Sequence, residues 1–292
     1  MRRLGYRYQR TIGNSVEVSG VGFLTGATVD LRFVPAQAGT GIIFVRTDLR
    51  ATPIEARVEN VSGTQRRTTL GRPPNVVGLV EHVLAALAGL RIDNCVIELD
   101  APEPPGLDGS ARGFVDMLRG AGTVLQAARR AVWTVETPLL VKRQGATLKL
   151  YPGDEHLKIS YLVDYGLGSP IGRQSYTQVI TPERFANEVA GCRTFILESE
   201  AAELRRQGLG ARTTAADLLV FGQNGPIDNR LRYADEPARH KVLDLLGDLS
   251  LFGHDLRGHV VAYRSGHPLN VELAGMLTRQ MEMRNAPLRQ AA

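Results

Sequence analysis

The chain has 292 residues, of which 43% are hydrophobic, so it is too long for one small domain and long enough for two packed cores. No apolar run approaches the roughly 18 residues of a membrane-spanning helix, and the N-terminal MRRLGYRYQRTIGNSVEVSG lacks the apolar segment of a secretion signal, so we expect a cytoplasmic protein. The net charge of +5 favours an anionic partner such as a nucleotide or a phosphate, whereas the scattered basic residues argue against nucleic acid.

Two series of segments follow the same order along the chain. GATVDLRFVP, from Gly26, and GATLKLYP, from Gly145, both alternate apolar and polar residues, as strands do, and both end in proline. Each series continues with a helical segment that contains a histidine, VEHVLAALAGL (80–90) or RHKVLDLLGDL (239–249), then with a strand, NCVIELD or GHVVAYR, and then with a proline loop. This repetition predicts an internal duplication and two similar α+β domains, each with helices packed on a β-sheet.

We place the boundary between the two domains near LQAARRAV, so that the first covers residues 1–127 and the second residues 128–292. The spacing from the glycine of the echoing segment to the helix histidine is 56 residues in the first half, from Gly26 to His82, and 95 in the second, from Gly145 to His240. The difference predicts an insert around residues 193–222 that the first half lacks. Inserts on a scaffold often carry substrate specificity. GVGFLTG, with its GxGxxxG spacing and no helix after it, predicts a turn between strands rather than a dinucleotide site.

Cys95 and Cys192 are the only cysteines and lie far apart, with no CxxC motif. Cys95 stands in the apolar NCVIEL, and we interpret it as a reduced residue of the core. The histidines that we interpret as structural are His156, His254 and His259.

The second helical segment has an apolar face and a polar face. At about 100° per residue, His240, Lys241, Asp244 and Asp248 fall on one side and the leucines fall on the other. One interpretation is a solvated face with weak i,i+4 pairs. The other is that His240 and Asp244, one helical turn apart, bind the same metal ion.

A catalytic zinc ion usually has three protein ligands, so one more is needed besides His240 and Asp244. The corresponding helix of the first half offers His82. Glu81, directly before it, is placed to act on a water that the metal activates. The chain has no HExxH motif, which excludes the standard zincin arrangement. His267, in the Gly/Pro loop SGHPLN, is a candidate for a second catalytic group, with a solvated loop histidine as the alternative.

Three segments, VEHVLAALAGLRIDNCVIELDAPEPPGLDGSA, RHKVLDLLGDL and AYRSGHPLN, together resemble the UDP-3-O-acyl-N-acetylglucosamine deacetylases, the zinc amidases of lipid A biosynthesis. The resemblance covers nearly the whole chain and implies a two-domain α+β fold. It implies hydrolysis of the N-acetyl group of UDP-3-O-acyl-N-acetylglucosamine, with release of acetate. It also implies a Zn²⁺ ion bound by His82, His240 and Asp244, with Glu81 as general base.

The resemblance implies further roles around this metal. Thr194, in CRTF, would help to hold the oxyanion. His267, oriented by Asp248, would be the second catalytic group and a candidate acid for the leaving amine, although Glu81 could deliver that proton itself. Lys241 would lie near the diphosphate or the carbonyl group of the substrate.

Substrate contacts are the part of the resemblance where this chain departs from the family. Phe195 stands where the family places an aromatic residue near the substrate. The apolar residues of the insert predict a channel for the acyl chain, with packing in the core of the second domain as the alternative. Leu24 replaces the usual histidine and would add an apolar wall near the metal. Residues 211–213 read Ala-Arg-Thr where Gly-Gly-Ser is usual, and Glu200 stands where aspartate is common.

Two alternatives to this function stay open. The departures at Leu24 and in the insert leave room for a zinc amidase that acts on a different acylated sugar. A non-catalytic paralogue that binds an acylated nucleotide sugar is the other, although Glu81 and all three ligand residues are present. For each interpretation we expect a monomer without a nucleic-acid partner or a transmembrane segment.

Overall fold

The computed structural model of the chain describes residues 1–285, and its mixture of helices and sheets confirms the predicted α+β class. The first half begins with strands and contains two helices. Its elements are β1 (Arg2–Ile12), β2 (Val16–Val21), β3 (Thr28–Pro35), β4 (Ile42–Arg46), β5 (Ile54–Glu55), β6 (Val61–Gly63), β7 (Thr69–Arg72), β8 (Asn75–Val77), α1 (Glu81–Gly89), β9 (Cys95–Leu99) and α2 (Arg112–Gly120).

The second half repeats this order and adds helices. Its elements are β10 (Thr123–Thr134), β11 (Leu139–Arg143), β12 (Ala146–Tyr151), β13 (Leu157–Asp164), β14 (Arg173–Val179), α3 (Pro182–Arg184), β15 (Phe195–Leu197), α4 (Glu198–Arg206), β16 (Leu219–Gly222), β17 (Gly225–Pro226), α5 (Glu236–Ser250), β18 (Asp255–Leu256), β19 (Gly258–Tyr263) and α6 (His267–Asn285). Within the described residues, no helix is long and apolar enough to cross a membrane.

The two main sheets have the same topology. Their strand orders are β2-β3-β9-β4-β5 and β11-β12-β19-β13-β14. In each, the middle strand follows the histidine-bearing helix and pairs antiparallel with one neighbour and parallel with the other. The two echoing segments form the equivalent strands β3 and β12, which supports the predicted duplication.

Alternation of side chains explains why these segments form sheets with one buried face. In β3, Val29, Leu31 and Phe33 are fully buried, whereas the residues between them are exposed. GVGFLTG forms the end of β2 and the turn before β3, as predicted. Cys95 is buried in the core, where burial raises the pKa of its thiol to about 12 and keeps it protonated.

Helices α1 and α5, one from each half, pack directly on each other. A Cβ atom at Gly247 of α5 would lie only 2.1 Å from the backbone oxygen of Glu81 on α1. Since no side chain fits at this distance, glycine is required for the two helices to approach so closely. This contact joins the two segments in which the sequence predicts metal ligands.

The long strands β1 and β10 form an antiparallel ribbon, and β18 adds to it in parallel. The boundary that we proposed at 127/128 therefore lies inside β10 rather than in a linker. The division of the chain into 1–127 and 128–292 stays a proposal.

Each half also carries a small three-stranded sheet before its histidine-bearing helix. In the second half it is β15-β16-β17, within and just after the predicted insert at 193–222. In the first half it is β6-β7-β8, so the expectation that this half lacks an insert does not hold. Strands of three or four residues are too short for periodicity to reveal them.

His267 differs from its predicted place in a loop, because it is the first residue of α6. Pro268 follows it, and proline is well tolerated in the first turn of a helix, where its missing N–H has no intrahelical partner. Leu269, Leu273 and Leu277 recur every four residues and bury one face of α6. The segment SGHPLN therefore starts a helix.

Candidate metal centre

Three side chains from the two packed helices converge at the interface between the halves. His82 lies in the first turn of α1, while His240 and Asp244 lie one turn apart on α5, and their ligand atoms are all within 4.8 Å of one another. The Nε2 atoms of His82 and His240 lie 3.6 and 3.2 Å from Asp244 Oδ1. All three residues are buried, which rules out a solvated face.

Two atoms of this cluster have no hydrogen-bond partner among the described residues: His240 Nε2 and Asp244 Oδ1. The other polar atoms of the same side chains are occupied, because His240 Nδ1 donates to the Cys192 carbonyl oxygen at 3.0 Å and Asp244 Oδ2 accepts from Lys241 Nζ at 2.9 Å. A buried polar atom without a partner costs about 1–3 kcal/mol. Metal ligands typically use one polar atom for the metal and have the other held by a hydrogen bond to the surrounding protein. The cluster therefore fits a metal ion.

The local electrostatics favour the protonation states that a metal ion requires. Burial lowers the pKa of His82, which favours the neutral imidazole. Burial alone would raise the pKa of Asp244, but His240 and Lys241 hold it well below its usual value, so the carboxylate is ionised. Burial would likewise lower the pKa of Lys241, but Asp244 keeps it raised and the ammonium charged.

Glu81 and His267 face each other beside this cluster. Glu81 Oε1 lies 3.8 Å from His267 Nε2, and His267 Nδ1 forms a 2.8 Å hydrogen bond with Asp248 Oδ2. Burial raises the pKa of Glu81 to about 7. Burial would lower the pKa of His267, but Asp248 and Glu81 raise it to about 9. Near neutral pH the pair therefore combines a carboxyl group that can exchange a proton with an imidazolium.

Thr68 and Asn270 also belong to this network, although the sequence interpretation named neither. The backbone N–H of Thr68 donates to Glu81 Oε2 at 3.0 Å, and its hydroxyl donates to Asp248 Oδ1 at 2.6 Å. Asn270 Nδ2 donates to Asp248 Oδ2 at 2.9 Å. Thr68 thus contacts both Glu81 and the carboxylate that binds His267, from a segment without a periodic pattern.

Phe195 and Thr194 lie at the start of the insert, next to α5. The ring centroid of Phe195 is 6.2 Å from that of His240 and 5.3 Å from Lys241 Nζ. Thr194 is fixed through its backbone N–H, which donates to the Gly109 carbonyl oxygen at 2.7 Å. Its hydroxyl forms no hydrogen bond with the described part of the chain, so it is free to donate to a ligand.

A buried ion pair anchors this start of the insert. Arg193 Nε donates to Glu236 Oε1 at 2.8 Å, and both side chains are almost completely buried. Glu236 is the first residue of α5. The pair therefore ties the segment that contains Thr194 to the helix that contains His240.

Leu24 lies in a first-half loop that is bonded to the insert rather than to the metal cluster. Its N–H donates to Glu103 Oε1, and its carbonyl oxygen accepts from Gly210 N, both at 3.0 Å. Thr213 Oγ1 donates to the Phe23 carbonyl oxygen at 2.7 Å. The departures at Leu24 and at residues 211–213 therefore belong to one contact between the loop and the insert.

Sequence comparisons agree with this geometry. The model of the family "UDP-3-O-acyl N-acetylglycosamine deacetylase" matches residues 9–279. The protein named UDP-3-O-acyl-N-acetylglucosamine deacetylase in Chlamydia abortus is 40% identical over 91% of this chain and 95% of its own length. Proteins of the same name from Trichormus variabilis and Solibacter usitatus are 40% and 37% identical, over 91% and 93% of this chain and 96% and 91% of their own lengths. Because the family model matches residues 9–279, which include every residue of the metal cluster, and these relatives align over more than nine tenths of the chain, the chain belongs to the UDP-3-O-acyl N-acetylglycosamine deacetylase family.

Proposed function

We propose that this protein hydrolyses the N-acetyl group of UDP-3-O-acyl-N-acetylglucosamine and releases acetate, with Zn²⁺ bound by His82, His240 and Asp244. The observation that carries the proposal is the pair of buried, unpartnered atoms, His240 Nε2 and Asp244 Oδ1, which converge with His82. Two imidazoles and one carboxylate are a donor set that zinc prefers in catalytic sites, where it keeps one open position. Relatives that carry the deacetylase name support the substrate.

An amide resists hydrolysis at neutral pH, and a zinc ion in this site would supply a polarised carbonyl and a water with a pKa of about 7. Glu81 would take the proton of the attacking water. Its carboxyl group suits this task because its pKa of about 7 lets it accept a proton and pass it on near neutral pH. Its hydrogen bond from the Thr68 N–H holds Oε2, which leaves Oε1 on the side of His267.

His267 would act as the acid. Asp248 keeps the imidazole protonated, since it raises the pKa to about 9 against the effect of burial. The leaving amine must gain a proton for the C–N bond to break, and an imidazolium 3.8 Å from Glu81 can supply it. The hydroxyl of Thr194, which has no partner within the described residues, would donate to the oxyanion that forms at the amide carbonyl.

Lys241 and Phe195 would form the edge of the site. Lys241 Nζ lies between Asp244 Oδ2 and the face of the Phe195 ring. Lys241 thus fixes the orientation of a metal ligand, and we propose that the same ammonium also contacts the substrate diphosphate or carbonyl. The insert that begins at Phe195 would receive the acyl chain.

Metal content and acetate release, measured together, test this proposal. The wild-type enzyme should hold one zinc ion per chain and release acetate from UDP-3-O-acyl-N-acetylglucosamine. His240→Ala should lose both, whereas Glu81→Gln should keep the zinc and lose at least about 100-fold in turnover, the usual scale of general base catalysis. His156→Ala, which changes an exposed histidine, is the matched control and should lose neither.

Two results would contradict the proposal. Full zinc occupancy in His240→Ala would exclude His240 as a ligand. A zinc-loaded wild-type enzyme that releases no acetate would exclude the substrate.

A further inference from the structure

A cavity of about 710 Å³ lies on the opposite side of α1 and α5 from the metal centre. Leu84 and Leu246 line it, and each follows a proposed metal ligand by two residues, which places the two side chains on opposite faces of the helix. The β1–β10 ribbon and the loop around β18 also line it. Of the residues assigned to the metal centre above, none lines this cavity.

Two arginines and two aspartates in the cavity wall neutralise each other. Arg7 donates to Asp93 at 2.6 and 2.7 Å and to Asp255 Oδ1 at 2.7 Å. Arg130 Nε donates to Asp255 Oδ1 at 2.8 Å. Burial would lower the pKa of Arg7, but the hydrogen bonds to both aspartates keep it above its usual value. The net charge of these four side chains is therefore zero, and they do not attract an anionic ligand.

Four further arginines line the same cavity and have no close carboxylate partner within the described residues: Arg57, Arg91, Arg129 and Arg257. The nearest acid to any of them is Glu55, whose Oε2 lies 4.0 Å from Arg57 Nε. Among the described residues, the guanidinium of Arg257 donates only to the backbone oxygen of Asp154, at 2.6 Å. The cavity therefore holds a surplus of positive charge.

Neighbouring groups respond to this positive charge. Burial lowers the pKa of Arg91, and the repulsion of Arg7, Arg10 and Arg257 lowers it further, although Asp255 acts in the opposite direction. Burial, together with Arg130 and Arg57, lowers the pKa of His254 to about 4, so this imidazole stays neutral. An anion bound here would relieve the repulsion among guanidinium groups.

The backbone conformation at Arg91 restricts which substitution can test this residue. Arg91 follows α1 with a φ of 57°, in the left-handed region where helices usually end on glycine. A side chain costs about 1 kcal/mol in this conformation. The side chain of Arg91 is also placed among like charges, and a bound anion would offset this electrostatic cost.

We propose that this cavity is a second binding site, for a small anion that carries a diphosphate group. The planar guanidinium fork binds phosphate oxygens in pairs, and a cavity lined by six arginines and only three acids, Glu55, Asp93 and Asp255, matches more than one phosphate group. Because the cavity and the metal centre occupy opposite faces of the same two helices, both ligands bind at once. The proposal does not depend on the deacetylase activity.

Binding of ADP to the zinc-loaded enzyme, measured by calorimetry at low ionic strength, tests the site. Arg91→Asn together with Arg257→Gln should weaken ADP binding at least about tenfold, on the scale of one lost charge-assisted hydrogen bond. Asparagine suits the left-handed conformation at position 91. Arg119→Gln together with Arg184→Gln removes the same charge from exposed positions outside the cavity and should leave the affinity unchanged.

Three results would overturn the proposal. ADP that binds the cavity variant as tightly as the wild type would exclude the site. An equal loss in the control variant would mean diffuse attraction to a basic protein. A loss of binding in Lys241→Ala would mean that ADP binds at the metal centre. A thermal unfolding curve like that of the wild type, measured by circular dichroism, shows that the cavity variant folds. Arg129→Gln, at an exposed position of β10, replaces this variant if it does not fold.

Discussion

The hydroxyl of Thr68 provides a sharp test of the proposed proton-transfer network. Thr68 is fully buried, and its hydroxyl donates to Asp248 Oδ1 at 2.6 Å, while the other oxygen of Asp248 binds His267 and Asn270. Thr68→Val removes only this hydroxyl and keeps the shape of the side chain. The backbone N–H that binds Glu81 is present in every variant at this position, so the change removes only the contacts of the hydroxyl, with Asp248 Oδ1 and with His267 Nδ1 at 3.4 Å.

The expected loss follows from the charge on Asp248. A hydrogen bond to a charged group contributes about 1.5–3 kcal/mol, which corresponds to about 10- to 100-fold. We expect kcat of Thr68→Val to fall by this factor, because Asp248 no longer holds the imidazolium of His267 in one position. The KM should change little, since a fully buried side chain does not contact the substrate.

Steady-state acetate release gives both constants, and elemental analysis of the same samples checks that zinc is retained. Thr68→Ser keeps the hydroxyl and should recover most of the activity. The reasoning is refuted if Thr68→Val turns over within twofold of the wild type. It is also refuted if Thr68→Ser loses as much as Thr68→Val, because the methyl group and its packing would then be responsible.

Four further predictions concern other parts of the protein. The pKa of His267 lies above its ordinary value, at about 9, so activity should fall as the pH rises through that value; a pH–rate profile should show that His267→Ala lacks this limb and that Asp248→Asn moves it to lower pH. Lys241→Arg should impair kcat/KM despite its charge, because a guanidinium fork replaces a point contact with a buried carboxylate, and near-normal kinetics would show that charge alone suffices. Gly247→Ala should lower the free energy of unfolding by about 1–3 kcal/mol in denaturant titrations, because its Cβ meets the backbone of Glu81. A substrate without its acyl chain should lose several orders of magnitude in kcat/KM, since each buried CH₂ contributes about 0.8 kcal/mol; equal values for both substrates would exclude an acyl channel.

The metal cluster could be predicted from the sequence because its chemistry is local. His240 and Asp244 are one turn apart on a helix whose other face is apolar, and His82 occupies the corresponding helix of the first half. Helix periodicity alone places such side chains on one face. The duplication was equally visible, since the segments that contain the strands β3 and β12 both begin with Gly-Ala-Thr, at residues 26–28 and 145–147.

The network around Asp248 could not be predicted in the same way, because its members are brought together only by the tertiary fold. Thr68 lies 180 residues from Asp248, directly before β7, in a short sheet region whose strands are too brief to show a period. Asn270 lies in the first turn of α6, which the sequence interpretation took for a loop. The arginines of the proposed anion-binding cavity present the same difficulty, since Arg57, Arg91 and Arg257 belong to three separate loops. A single sequence shows their number but not their convergence, and it is the convergence of like charges in one cavity that calls for a ligand.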